Sequence, residues 1–175
     1  MSRRGEYSKE AVKISNLSGN NSEVLRKLRS IADYQFGRDA GKILFAEDVT
    51  VVFSKRTGKI RFVYHQGKLL ATLRPTDGLF SLSFEGAKRL MELMNPKRLW
   101  VKVQTEFAKF IEKGGDVFAK HVIDADREIR PREEVMVLDD DGRVIALGKS
   151  LLSGEEMKRF RRGIAVKVRR GNLEN

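Results

Sequence analysis

The chain of 175 residues contains no cysteine. A disulfide framework, a thiolate metal site and a cysteine nucleophile are therefore excluded. The chain also lacks any apolar run near the roughly 20 residues that a membrane-spanning helix needs. Residues 1–10 are polar and charged, without the apolar stretch of a signal peptide. These absences predict a cytoplasmic protein that has no membrane partner.

Motifs for catalysis are also missing. The chain has only two histidines, His65 and His121, and they fall in different predicted domains. It contains no HExxH, no P-loop, no GxSxG nucleophile elbow and no GxGxxG after a predicted strand. Residues 139–141 are consecutive aspartates, but a glycine follows, which favours a hairpin turn over a metal site. Asp124 and Asp126 could ligate a hard cation, although a solvated turn fits them better. We predict no catalytic residue, no metal and no cofactor.

Positive charge, by contrast, is abundant. The chain has 35 Lys and Arg against 24 Asp and Glu, a net charge of +11 and a pI of about 10.0. Solvated basic surface is the simplest interpretation, but a surplus of this size repels itself unless an acidic partner neutralises it. Since no apolar segment suits a membrane, nucleic acid is the favoured partner. A high Lys, Arg and Glu content without cysteine also suits a thermophile.

The beginning of the chain predicts an arm followed by a helix. Residues 1–21 show no clear periodicity and are predicted as an arm that is flexible or loosely docked on the rest of the chain. Apolar residues then recur at helical spacing over residues 24–32, and Asn21 or Ser22 is placed to cap the helix. Two glycines interrupt the helical pattern: Gly37 and Gly41.

Three short apolar segments follow the helix and predict an antiparallel meander. They are residues 49–53, 60–64 and 69–73. Glycine-containing turns at residues 57–58 and 66–67 separate them. A second helix over residues 84–94 ends at Asn95-Pro96. We therefore assign residues 22–96 to a small α+β domain.

After Pro96 the pattern changes to short strands with two small helices, and residues 97–171 are assigned to a compact β-barrel-like domain. Residues 172–175 are a tail. The predicted strands cover residues 99–103, 116–119, 135–138, 144–147 and 164–168. A helix over residues 105–113 ends at two glycines, and Ser153 begins a capping box for the other helix.

Two segments of this second domain are candidate binding surfaces. Residues 158–170 contain seven basic residues and no acidic one. Strand alternation places Ala165, Lys167 and Arg169 on one face, the two cations roughly 6–7 Å apart. A solvated, charge-protected edge strand explains the same pattern. The second segment, residues 113–118, has two glycines that let a nucleic-acid backbone approach, although a glycine pair after a helix is usually a C-cap.

Residues 99–171 resemble a PUA domain over their whole length. The resemblance rests on an ordered series of segments: residues 99–103, 113–122, 129–135, 143–149 and 163–168. The preceding residues resemble the domain before PUA in archaeal tRNA-guanine transglycosylases, which make the archaeosine precursor in the tRNA D-arm, and in the related archaeosine synthases. The segments that carry this second resemblance are residues 31–37, 41–45, 57–61 and 73–80. These enzymes have a catalytic barrel ahead of both domains, and the chain contains no counterpart of it.

The resemblance implies an α+β chain: a small N-terminal α+β domain with an antiparallel meander, then a PUA-type pseudo-barrel. In PUA domains RNA lies across the helix–glycine loop and the last strand. The residues that this implies as nucleic-acid contacts are Gly114, Gly115, Val117, Phe118, Lys120, Lys167 and Arg169, with Arg170 beside them in the basic run. Phe118 is a candidate for stacking on a terminal base or base pair. Proline often stands at the position of Lys120 in other PUA domains.

In the first domain Arg61 and His65 share a strand face and could contact an RNA backbone, or this domain could be a scaffold. The leading hypothesis is a non-catalytic protein that binds RNA, tRNA in particular, and assists a tRNA-modifying enzyme in trans. The alternative is a ribosome-associated factor in translation or ribosome assembly. A third hypothesis is an enzyme that uses Asp33, His65 or His121. Binding through Lys and Arg should weaken steeply with salt in either binding hypothesis.

Overall fold

The first part of the chain is organised around a five-stranded antiparallel sheet in the computed structural model, which describes residues 11–13 and 19–173. The chain divides into two compact units between Arg89 and Leu90. In the described part of the chain, no helix is long and apolar enough to cross a membrane.

The elements of the first unit follow the sheet order β1-β2-β3-β4-β5. They are β1 (Ala11–Lys13), α1 (Gly19–Phe36), α2 (Ala40–Leu44), β2 (Thr50–Phe53), β3 (Ile60–His65), β4 (Lys68–Leu73), β5 (Phe80–Leu82) and α3 (Phe84–Leu93), the last of which contains the division between the units. The predicted meander is confirmed as β2, β3 and β4. Its tight turn forms because Gln66 and Gly67 both adopt positive φ, 49° and 78°.

The core of the first unit comes from one face of α1 and one face of the sheet. Leu25, Leu28, Ala32 and Phe36 are buried along the helix at three- and four-residue spacing. A row of mutually paired strand residues is buried with them: Val51, Val63, Ala71 and Leu82.

Three features of this unit differ from the sequence prediction. Ala11–Lys13 pairs with β2 as a strand, although the sequence shows no periodicity there. The pairing uses the open edge of β2, a partner that local sequence does not reveal. The rest of residues 1–18 lies outside the described residues. Helix α1 begins at Gly19, before the predicted caps Asn21 and Ser22.

Gly41 is the third difference, because it lies inside α2 instead of breaking a helix. A Cβ on Gly41 would come within 2.4 Å of the carbonyl oxygen of Arg29, so only glycine lets α2 approach α1 this closely. The Asp33 carboxylate accepts a hydrogen bond from the Gly41 N–H at 2.7 Å and ties the two helices together.

The second unit is a six-stranded barrel-like sheet in the order β7-β11-β10-β9-β6-β8. Its elements are β6 (Trp100–Val103), α4 (Thr105–Glu112), β7 (Val117–Phe118), a 3-10 turn (Ala119–His121), β8 (Val122–Ala125), β9 (Glu134–Leu138), β10 (Val144–Ser150), α5 (Gly154–Arg159) and β11 (Ile164–Gly171). Strands β6 and β9 are parallel and the other neighbours antiparallel. The predicted α+β class with a pseudo-barrel is confirmed.

The capping box predicted at Ser153 is confirmed at the start of α5. The Glu156 N–H donates to the Ser153 hydroxyl at 3.3 Å, and the Ser153 N–H donates to the Glu156 carboxylate at 2.8 Å. The hydrogen bonds from the Ser153 N–H and then its hydroxyl lower the pKa of Glu156. The carboxylate's contribution to stability is therefore complete above its unfolded pKa and is lost as the pH falls through the lowered, folded pKa.

Replacing Ser153 by Ala is expected to lower the free energy of unfolding by about 1 kcal/mol at neutral pH, the usual value of an N-cap side chain. The difference between the variant and wild type should shrink in acid, because protonation of Glu156 weakens the hydrogen bond that its carboxylate accepts from the Ser153 hydroxyl, a bond that only wild type makes. Urea unfolding at pH 7 and at an acid pH measures both effects. A Ser153→Thr control, which keeps the hydroxyl that accepts from the Glu156 N–H and donates to its carboxylate, should retain most of the stability.

Candidate nucleic-acid interface

A glycine turn ends α4 and starts the candidate surface. Gly114 has φ 93°, a left-handed conformation that favours glycine. The Gly114 N–H donates to the Ile111 carbonyl at 2.9 Å and the Gly115 N–H to the Phe110 carbonyl at 3.0 Å. A Cβ on Gly115 would lie 2.2 Å from the Phe110 ring. Both glycines thus have a structural C-cap role, and they also leave the turn free of side chains.

Strand β11 runs beside this turn. Phe118 pairs with Ile164, and Val117 pairs with Val166. At the far end of β11, a Cβ on Gly171 would lie 2.1 Å from the Glu112 carbonyl oxygen and 2.7 Å from the Gly114 nitrogen. The two segments singled out from the sequence, about fifty residues apart, therefore form one continuous surface.

The cations on this surface fall into two groups. Lys167 Nζ lies 2.7 Å from Asp116 Oδ2, and Arg169 Nη2 lies 2.6 Å from Glu134 Oε1, whose side chain is fully buried. Lys120 and Arg170 are exposed, and no carboxylate of the described residues lies within ion-pair distance of either. Lys120 and Arg170 are therefore the cations most available to an anionic ligand.

The alternation predicted along β11 holds only in part. Ala165, placed on the exposed face with Lys167 and Arg169, is fully buried, because both sides of the strand are covered there. A bulge follows: Gly148 pairs with Val168 and Leu147 with Arg170, which leaves Arg169 as the extra residue. The bulge turns Arg169 to Glu134 and leaves Arg170 exposed.

Val117 is also a correction to the predicted contacts. Its side chain is fully buried, and its backbone pairs with Val166 of β11. Val117 is apolar, which accounts for its burial. Its neighbour Phe118 points outward and is 39% exposed.

An aromatic cluster accompanies Phe118. The His121 ring lies 3.4 Å from the Phe107 ring centroid to centroid, and the Phe118 ring meets His121 edge-on at 6.2 Å. Burial and, next, the charge of Lys120 lower the pKa of His121, so the imidazole is neutral at pH 7. A half-exposed aromatic ring with a supported position can stack on an unpaired base.

The sequence-predicted residues of the first unit separate in the structure. His65 Nε2 lies 3.1 Å from Asp48 Oδ1, and its Nδ1 lies 3.3 Å from Arg89 Nη1, so both ring nitrogens are engaged within the fold. Arg61, four residues before His65 and two before the buried Val63, has its guanidinium carbon 5.8 Å from the Phe62 ring centroid.

The aspartates considered for metal or catalysis have structural partners. Asp139 is buried and accepts from the Arg143 N–H and guanidinium at the predicted hairpin turn, which is confirmed. Asp126 accepts from the Leu99 N–H at 2.8 Å. The pKa of Asp124 is lowered, mainly by a hydrogen bond from the Lys158 ammonium group. No group of three possible metal-ligating side chains occurs in the part of the chain that the structure describes.

Three residues that shape this surface were not predicted from the sequence: two carboxylates and one phenylalanine. Asp116 and Glu134 each hold a surface cation, and Phe107 supports His121. Nothing in the local sequence marks these pairs, because their members lie 51, 35 and 14 residues apart and meet only in the folded chain.

Replacing Asp116 by Asn is expected to strengthen RNA binding about twofold at low salt, the factor that roughly 0.5 kcal/mol for an exposed charge pair represents. The change removes a negative charge 2.7 Å from Lys167. The amide oxygen can still accept from the Val168 N–H, the bond that Asp116 Oδ1 makes at 2.9 Å. Filter binding across a salt series measures the effect, and an unchanged or weaker affinity would contradict it.

Comparison with known proteins assigns both units. Residues 26–97 match the model of the patch-forming domain C2 of tRNA-guanine transglycosylase, and residues 100–171 match that of the PUA domain. The tRNA-guanine(15) transglycosylases of Thermococcus kodakarensis and Methanothermobacter thermautotrophicus are 45% and 44% identical over 149 residues, 85% of this chain. The chain spans only about a quarter of the length of these relatives, 25% and 23%.

Two solved structures resemble the whole fold. A hypothetical protein of Pyrococcus horikoshii superposes with a TM-score of 0.72 at 24% identity, over 94% of this chain and 96% of that one. A conserved PUA domain protein of Thermoplasma acidophilum superposes with a TM-score of 0.63 at 20% identity, over 91% and 93%. At these identities the likeness concerns the fold alone.

Proposed function

Since the chain belongs to the proteins that join the patch-forming C2 domain of tRNA-guanine transglycosylase to a PUA domain, we propose that it binds structured RNA, specifically tRNA, and is not itself a catalyst. The PUA domain docks the acceptor end of the tRNA, and the protein assists a tRNA-modifying enzyme in trans. The alternative of a ribosome-associated factor is an outcome of the test below.

One observation carries the proposal: the glycine turn after α4 and strand β11 form a single surface. Gly171 packs against Glu112 and Gly114 at one end, and Phe118 pairs with Ile164 at the other. A side-chain-free turn lets a nucleic-acid backbone come close, and the neighbouring strand supplies the cations that neutralise its phosphates.

The chemistry of this surface suits an RNA end better than a uniform duplex. Lys120, Lys167 and Arg170 provide positive charge, and Phe118 provides an exposed ring beside the neutral His121. A protein stacks aromatic rings on bases that are not already stacked within a helix, which in RNA are those of loops and single-stranded ends. The combination therefore supports contact with the single-stranded 3′ end of tRNA.

The contacts of the titratable side chains support a binding role. Asp33 holds α2 through the Gly41 N–H, His65 lies between Asp48 and Arg89, and His121 stacks on Phe107. Each of the three residues considered for an enzyme mechanism therefore has a structural contact that accounts for its position.

Binding of the purified chain to folded tRNA, to the same tRNA without its single-stranded 3′ end, and to duplex RNA of equal length tests the proposal. The affinities are compared across a salt series. Preference for intact tRNA is expected. Equal, purely salt-dependent affinity for the three RNAs would contradict acceptor-end docking, and co-sedimentation with ribosomal subunits would then support the alternative factor.

A further inference from the structure

A basic cleft in the first unit has no role in the surface described above. It has a volume of about 570 Å³ and lies where the first half of α1 crosses the ends of β2, β3 and β4. The turns over residues 54–59 and 74–78 form its rim. This volume is within the usual range for small-ligand sites, roughly 300–1,000 Å³.

Five cations line this cleft against one carboxylate, that of Glu23. They are Lys27, Arg56, Lys59, Arg61 and Arg74. Arg74 is held by Asp77 at 2.9 Å. For the other four, no carboxylate of the described residues lies within ion-pair distance. Four like charges around one opening repel each other, so an anion that enters relieves the repulsion.

The floor of the cleft is apolar. It is formed by Val24, Ile31, Phe53, Ile60 and Leu73, none of which is fully buried. A cationic rim over an apolar floor complements a nucleotide, whose phosphate is charged and whose base has an apolar face. An inorganic anion would use only the rim.

The rim is ordered by its own backbone hydrogen bonds. The Gly58 N–H donates to the Ser54 carbonyl at 2.8 Å, and the Gly78 N–H donates to the Arg74 carbonyl at 3.0 Å. Gly58 and Gly78 have φ 62° and 69°, which the two turns require. Arg56, Lys59 and Arg74 are thus presented from fixed turns, which lowers the entropy lost when a ligand binds.

We infer that this cleft binds one unpaired nucleotide of the RNA, with its phosphate at Lys27, Arg56 and Lys59 and its base against the apolar floor. The inference rests on the proposed function only because it takes RNA as the ligand. It adds a second contact between the protein and the RNA, and this contact does not involve the PUA surface. It also separates the two first-domain residues predicted from the sequence: Arg61 lines the cleft, whereas His65 does not.

The double variant Arg56→Ala/Lys59→Ala in the full chain tests the cleft. The matched control is Arg38→Ala/Lys42→Ala, which removes one Arg and one Lys from exposed positions of the same unit outside the cleft. The cleft variant is expected to bind a tRNA transcript more weakly and to reduce the salt slope by about 2, one for each lost phosphate contact. The control should bind like wild type, and equal behaviour of the two variants would overturn the inference.

Cross-linking locates the contact directly. A tRNA transcript carrying 4-thiouridine is irradiated with the wild-type chain, and cross-links are expected in peptides that contain residues 53–61 or 73–78. Cross-links confined to the second unit would overturn the inference and leave the proposed function standing. Cross-links in the cleft together with equal affinity for tRNA with and without its 3′ end would overturn acceptor-end docking and leave the inference standing.

Discussion

Replacing Phe118 by Ala is expected to weaken binding of intact tRNA by about 1–3 kcal/mol, the usual value of one base stacked on an aromatic ring. Phe118 is 39% exposed, and its edge contact with His121 holds the ring in place. The loss should be specific to tRNA that carries its single-stranded 3′ end, because a stacked terminal base is the contact that disappears. Fluorescence anisotropy with end-labelled tRNA measures the affinity of each protein for tRNA with and without the single-stranded 3′ end.

The matched control for this prediction is Tyr34→Ala. Tyr34 is an aromatic residue that is 84% exposed in the first unit, outside both proposed surfaces. The Tyr34→Ala variant should bind intact tRNA with the affinity of wild type. A similar loss for both variants, or an equal loss by Phe118→Ala on tRNA with and without the 3′ end, would show that Phe118 does not stack on the terminal base.

Variants that test the cations of the candidate surface need a different pair from the one that alternation along β11 predicts. Lys167 and Arg169 are the pair predicted from alternation, but removal of Arg169 takes the guanidinium away from the fully buried carboxylate of Glu134. Loss of such a partner destabilises the fold and obscures an effect on binding. Lys120 and Arg170, which are exposed, are the cleaner pair for a salt-slope measurement.

Replacing Gly171 by Ala is expected to destabilise the second unit by roughly 1–3 kcal/mol, the usual cost of overpacking. The three atoms nearest to the new Cβ would all be backbone, among them the Glu112 carbonyl oxygen at 2.1 Å and the Gly114 nitrogen at 2.7 Å. Backbone cannot rotate away as a flexible side chain can, so β11 and the glycine turn must separate. The separation should weaken tRNA binding as well, because it divides the proposed surface.

Thermal unfolding and tRNA binding below the midpoint temperature measure the two effects of Gly171→Ala. Asn172→Ala, at an exposed neighbouring position, is the control and should change neither. Wild-type stability in Gly171→Ala would contradict the close packing. Lower stability with unchanged affinity for tRNA would contradict the role of this junction in RNA binding.

Local chemistry was sufficient for the elements whose signals lie within a few residues. The turn at Gln66 and Gly67 and the capping box from Ser153 to Glu156 are confirmed, since each is defined by contacts between near neighbours in the chain. The helical face of α1 and the apolar strands of the meander are confirmed for the same reason: their periodicity directly reflects which side is buried.

Elements that depend on a partner distant in the chain could not be predicted from local sequence. Strand β1 exists through its pairing with β2, and α2 depends on the Asp33 carboxylate and on the absence of a side chain at Gly41. Short strands such as β5 (Phe80–Leu82) carry too few residues to show a period. Their hydrogen bonds come from neighbours that only the folded sheet supplies.

By itself the sequence determined the α+β class, the basic character and the segments from which a binding surface could be built. Tertiary structure decided which of those residues are available. Val117 and Ala165 are buried, Arg169 faces Glu134, and His65 is engaged with Asp48 and Arg89, while Phe118 and Arg170 remain exposed. The physical reason is that composition and periodicity are properties of neighbouring residues, whereas burial, a strand bulge and an ion pair each require a second segment from elsewhere in the chain.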